Sequence, residues 1–102
     1  MANHLLSIEA HAQLSDDQTE LTVKGQATFP SSGYSVTVEA QYNTDHNQLN
    51  IFLHTTPPSE GSRTLSAIMT EDFEKVISVP NGTKEIIVWH PFNREEIARI
   101  SL

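Results

Sequence analysis

The chain has 102 residues, which is one domain with a real core and no room for a second. Hydrophobic residues make up 37% and charged residues 19%, a globular balance that argues against a disordered chain. The net charge is −7, and the six basic residues are scattered as Lys24, Arg63, Lys75, Lys84, Arg94 and Arg99. Neither nucleic acid nor an anionic membrane surface is therefore expected as a partner.

The N-terminal stretch MANHLLSIEAHAQLSDD has no basic n-region and no long apolar run, so it is not expected to be a signal peptide. An exported form would be a mature domain with an added methionine. No segment approaches the roughly 20 apolar residues of a membrane span. Cysteine is absent, which excludes disulfides, a thiol nucleophile and thiolate metal sites but leaves the compartment open.

Along the chain the dominant pattern has period two. Leu6, Ile8, Ala10, Ala12 and Leu14 alternate with polar residues, as do Leu21, Val23, Gly25, Ala27 and Phe29. Tyr34, Val36, Val38, Ala40 and Tyr42 form a third such row, and Leu49, Ile51 and Leu53 a fourth. Each run predicts a strand with one apolar and one wet face. The separators carry turn chemistry: Ser15-Asp16-Asp17, Pro30-Ser31-Ser32-Gly33, residues 43–47, residues 57–61 and Pro80-Asn81-Gly82. Further on, residues 70–77 fit either a short capped helix or a strand, with strand preferred. Ile86 to Trp89 is apolar on both faces, as a covered central strand requires. Asn93 and Glu96 resemble a capping box, but Ala98, Ile100 and Leu102 alternate, so a C-terminal strand is preferred.

These elements predict an all-β fold, an immunoglobulin-like antiparallel β-sandwich of about seven strands in a single domain. The expected inward set is Ile8, Ala10, Leu21, Val23, Val36, Val38, Leu49, Ile51, Leu53, Ile86 and Val88, with Trp89 largely buried.

Candidate chemistry is sparse. Ser31 and Ser32 sit in a run where Pro30 ends one strand and Gly33 re-aims the chain, so a corner explains them better than a nucleophile lacking base and oxyanion site. The five histidines, His4, His11, His46, His54 and His90, form no His-x-His or His-x-x-x-His pair. Asp16-Asp17 and Glu71-Asp72-Glu74 lack calcium-loop spacing, so a turn and a solvated face are preferred. Asn81-Gly82-Thr83 fits the N-glycosylation sequon, but Asn-Gly is also a hairpin turn with both residues at positive φ. No cofactor, metal or catalytic residue is expected, and the protein is read as a non-enzyme. The rival is a site assembled across strands, for instance from His54 and distant carboxylates. Phe52 is the oddity: it lies between Asn50 and His54 on the face that should be wet, where it covers a core edge or marks a patch for a partner.

The stretches FPSSGYSVTVE, QLNIFLHTTPPSEG and FEKVISVPNG resemble the C-terminal domain of the bacterial protease-complex subunit family, over roughly residues 28–82. That family has a Thr/Ser-Gly-Gly-Tyr-Ser-Val start, where Ser32 here replaces the first glycine. The resemblance implies a small β-sandwich accessory domain that contacts an exported protease or another protein and has no catalysis of its own. In layout alone the chain is also similar to the chagasin-like cysteine-protease inhibitors, without their Asn-Pro-Thr-Thr-Gly loop.

The function expected is thus a non-catalytic binding or accessory module engaging a partner protein, with association to a protease implied by the resemblance. A free edge strand or the proline-bearing loops would serve as the surface. The expected contact residues are Phe52 with Tyr42 or Trp89 as aromatic anchor, and Ser31, Ser32, Gly33, Pro57 and Pro58 in the loops. A carbohydrate-binding or cell-surface structural module is the alternative.

Overall fold

The period-two runs do become strands. The computed structural model describes residues 5–59, 61 and 63–102. It contains β1 (Ser7–Leu14), β2 (Glu20–Phe29), β3 (Ser35–Asn43), β4 (Gln48–Thr56), β5 (Met69–Ser78), β6 (Glu85–Trp89) and β7 (Glu96–Ser101). No helix occurs among the described residues, so the ambiguous 70–77 stretch is strand and so is the C-terminal segment. His4 and Glu60, named in the sequence patterns, lie outside the described residues.

Two sheets form, ordered β1-β2-β5 and β3-β4-β6-β7. One core joins them: Leu21, Val23 and Phe73 from the first sheet pack with Val38, Ile51 and Val88 from the second. This is a two-layer β-sandwich. A second, smaller core closes one end, where Phe29 and Tyr34 stack with ring centroids 4.5 Å apart beside Ala27. Burying such a ring contributes about 1.5–3 kcal/mol, which anchors the corner between β2 and β3.

The expectation of a wholly antiparallel sandwich is corrected at one junction. β4 and β6 run parallel, with Ile51 beside Val88 and Phe52 beside Trp89. The reason is topological: the chain leaves β4, crosses to the other sheet as β5, and returns in the direction in which it left. Most of the expected inward set is buried, but Ile8 and Val36 are only half-buried because β1 and β3 are edge strands. Trp89 is mostly covered, but it lies on the outer face at the end of β6 and not in the core.

The connections divide by kind. Hairpins join β1 to β2, β3 to β4 and β6 to β7, and each places one non-glycine residue at positive φ: Gln18, Asn47 and Arg94. Residues 30–34, 57–68 and 79–84 cross between sheets. The Pro80-Asn81-Gly82 turn therefore belongs to an inter-sheet corner and not to a hairpin, and only Gly82 takes positive φ (90°). The Thr83 side chain is buried there, its hydroxyl donating to the Pro80 carbonyl at 2.6 Å.

Candidate functional site

The outer face of the four-stranded sheet is where the fold departs from simple inside–outside patterning. In β4, Leu49, Ile51 and Leu53 point into the core, which sends Asn50, Phe52 and His54 outward. In β6, Ile86 and Val88 point inward and Ile87 and Trp89 outward. Ile87 is nevertheless only 1% exposed. The parallel register supplies the cause by setting Asn50 beside Ile87 and Phe52 beside Trp89. The Trp89 indole N–H donates to the Asn50 side-chain oxygen at 2.9 Å, which fixes the ring across that face.

A β-bulge between Val88 and Trp89 ends the regular β6–β7 ladder and turns the following segment. Residues 91–95 then fold back tightly. His90 donates its backbone N–H to the Glu95 carbonyl at 2.8 Å, while its Nδ1 accepts from the Phe92 and Asn93 backbone N–H groups at 3.1 and 3.4 Å. Asn93 accepts from the Glu95 N–H through its side-chain oxygen at 3.0 Å. Pro91 offers no backbone donor, and the Phe92, Asn93 and Glu95 N–H groups are taken up by the His90 and Asn93 side chains. The turn thereby holds Phe92 out at 50% exposure, with its ring edge-on to His90.

The product is an open cleft of about 590 Å³ with Phe52, Trp89, Pro91 and Phe92 as its apolar surface, Asn50 and His90 as its amide and imidazole, and Arg94 on its rim. Around it the sheet face is polar and tied together. His54 Nε2 lies 2.7 Å from Glu39 Oε1, with both side chains about half exposed, and that hydrogen bond, aided by Gln41, holds the Glu39 carboxyl below its ordinary range. Gln48 donates to Glu85 at 2.6 Å. Arg99 bridges Glu85 and Glu96, which raises the guanidinium pKa and lowers that of Glu96. Such an arrangement offers an apolar slot with a charged rim. The cross-strand His54–Glu39 pair is the one cross-strand histidine–carboxylate contact among the described residues, and it lies outside the cleft.

The residues singled out from sequence separate into three places. Phe52 is in the cleft, joined by Trp89. Tyr42 faces the other way, packing on the core and donating its hydroxyl to Asn47 at 3.3 Å, so it does not meet Phe52. Ser31, Ser32, Gly33, Pro57 and Pro58 belong to a corner between the sheets. There Ser32 donates its N–H to the Leu65 carbonyl at 3.0 Å and accepts the Leu65 N–H on its hydroxyl at 2.8 Å. Gly33 has φ 91°, and a Cβ at that position would lie 3.0 Å from Pro58. Ser32 thus holds one crossover to another.

Asn50, His90, Pro91, Phe92 and Arg94 escaped the sequence reading. Asn50 occupies a polar position in a regular alternation and carries no signal. The other four sit in HPFNR, where the Asn93–Glu96 spacing reads as a helix cap instead of a turn. The usable signal was a phenylalanine beside a proline in a turn, where core residues seldom lie.

A second hollow, of about 570 Å³, opens on the outer face of the three-stranded sheet around Gly25, between Glu9, His11, Lys24, Gln26 and Asp72. Among the described residues no group of three or more His, Asp or Glu side chains is placed to hold a metal ion. Comparison with family models, curated proteins and solved structures gave no match.

Proposed function

We propose that this domain is a non-catalytic binding module that engages a partner protein through the Phe52–Trp89–Phe92 cleft. The observation that carries the reading is Phe92, held half exposed by a turn braced on the His90 and Asn93 side chains, next to Phe52 on a polar face. Aromatic side chains in a slot with a polar rim are what interface anchors consist of. Arg94 suits a partner with a carboxylate next to an apolar side chain.

The finer fold reading is an immunoglobulin-like domain. Strands one, two and five share one sheet and three, six and seven the other, as in the constant-type arrangement of that class, but β4 joins the second sheet where that arrangement puts it in the first. The insertion of β4 between β3 and β6 is a variation on it. A protease as the partner rests on the resemblance of residues 28–82 to the protease-complex subunit domain.

A carbohydrate is the second reading, favoured by three aromatic rings in one cleft.

A pull-down from the native host, run beside a glycan array, separates the two. Wild-type protein is expected to retain a protein partner that Phe92→Ala and Phe52→Ala both lose. Phe92→Ala is expected to shift stability by no more than about 0.5 kcal/mol, because the ring is exposed. Glycan binding with no protein retained would sink the protein-partner reading.

A further inference from the structure

The sandwich has four edge strands, and three of them are blunted. β5 carries Glu71 and Lys75 in the row that otherwise faces the core, which is a known guard against edge pairing. Lys75 also donates to the Val38 carbonyl of β3 at 3.1 Å, so the two edges on that side are tied to each other. β7 is only six residues long and starts at the bulge. β1 is different. Its eight residues contain no proline, glycine, lysine or arginine, and no charge faces the core. Its inward row is also incompletely covered: Ile8, Ala12 and Leu14 are half-buried, and Leu6 just before the strand is 55% exposed.

We infer that β1 pairs antiparallel with β1 of a second copy, centred on Ala10, to make a two-fold dimer with one continuous six-stranded sheet. The strand is self-complementary in that register. On the outer face Glu9 stands opposite His11 of the second copy, twice by symmetry, and Ser7 stands opposite Gln13. On the inner face Leu6 meets Leu14, Ile8 meets Ala12, and Ala10 meets itself, so the partly exposed apolar row is covered. An isologous interface needs this kind of match, in which each residue's partner is set by the same rule on both copies. The competing symmetric registers are worse. Centring on Glu9 sets that carboxylate against its own copy, and centring on His11 sets imidazole against imidazole and leaves Glu9 opposite Gln13. A slip of one residue puts the apolar row against the polar one. Opposite charges directly across strands stabilise a pair, and like charges in the same place destabilise it.

Sedimentation equilibrium of the full chain over a concentration series tests this. Wild type is expected to dimerise reversibly. His11→Glu sets carboxylate against carboxylate at both ends and is expected to weaken the dimer about tenfold or more. The exchange Glu9→His with His11→Glu rebuilds the opposition and is expected to restore it. Circular dichroism of each variant checks that the sandwich is intact. Because the chain has no cysteine, single thiols report the register. Glu9→Cys protein mixed with His11→Cys protein is expected to cross-link faster than either alone. The inference is overturned if wild type stays monomeric at all concentrations, which would leave β1 open to a strand of another protein. It is equally overturned if His11→Glu leaves the dimer unchanged, or if same-position thiols cross-link fastest.

Discussion

The two outer faces of the sandwich carry hollows of similar size, about 570 and 590 Å³, made by opposite means. On the three-stranded sheet the hollow is a gap between outward side chains over the backbone of Gly25, whose own row faces the core with Ala10 and Phe73. Gly25 brings β1 so close that a Cβ would lie 2.0 Å from the Glu9 carbonyl oxygen and 2.8 Å from the Phe73 ring. Charged and amide side chains surround that gap. On the four-stranded sheet the hollow is built by addition: a bulge, a turn braced by His90 and Asn93, and three aromatic rings. The first face is a packing solution whose surface is incidental. The second places apolar area where water must be displaced to fill it, the property on which the proposed binding role rests.

The largest expected break of this contrast is Ile87→Ala. Ile87 is buried on the outer side of its sheet under the Asn50–Trp89 bridge, so the four-stranded face has a small core of its own. Truncation is expected to cost about 3–4 kcal/mol and to loosen Trp89, read as a lower urea midpoint with changed tryptophan fluorescence. A loss below about 1 kcal/mol would mean that Ile87 is covered only nominally.

Next in size is Gly25→Ala on the opposite face. The methyl would meet backbone atoms that cannot swing aside, so β1 must shift from β2, at a cost of about 2–3 kcal/mol. Urea unfolding measures it. An unchanged midpoint would show that β1 and β2 part at Gly25 without cost, so that close approach of the strands does not constrain this face.

How much of this was legible in the sequence follows the same division. Alternation in residues 6–14, 21–29, 34–42 and 49–53 predicts four strands and their inward faces, because a half-buried strand writes its environment at every second residue. β5 was ambiguous because its inward row mixes Phe73 and Ile77 with Glu71 and Lys75, and edge protection obscures periodicity. The parallel β4–β6 pairing depends on which sheet the intervening strand joins, and local pattern does not encode that. Phe52 stood out as an apolar residue on a wet face. Its companions did not, because Phe92 reaches it through a turn and Trp89 through a register, and both are long-range facts. The loop serines read correctly as a corner, but the pairing of Ser32 with Leu65 is again tertiary.

The smallest expected effect concerns the rim of the aromatic face. The hydrogen bond from His54, and a second from Gln41, hold the Glu39 carboxyl below its reference value of 4.5. A depressed carboxyl binds protons less readily in the folded state than in the unfolded one. Its contribution to stability is therefore fully present above 4.5 and is lost as the pH falls through the lower folded value. Glu39 and His54 are both about half exposed, so solvent screens the interaction and the effect stays small. The measurement is the difference in urea midpoint between wild type and Glu39→Gln, taken across acid and near-neutral pH. Wild type is expected to be slightly the more stable near neutrality, with the difference closing on acidification as Glu39 takes up its proton. A His54→Ala background should flatten the dependence, since it removes the first cause of the shift. A difference that grows as the pH falls would reverse the sign of the argument. It would mean that the carboxylate is a burden to this face and no part of the frame around the cleft.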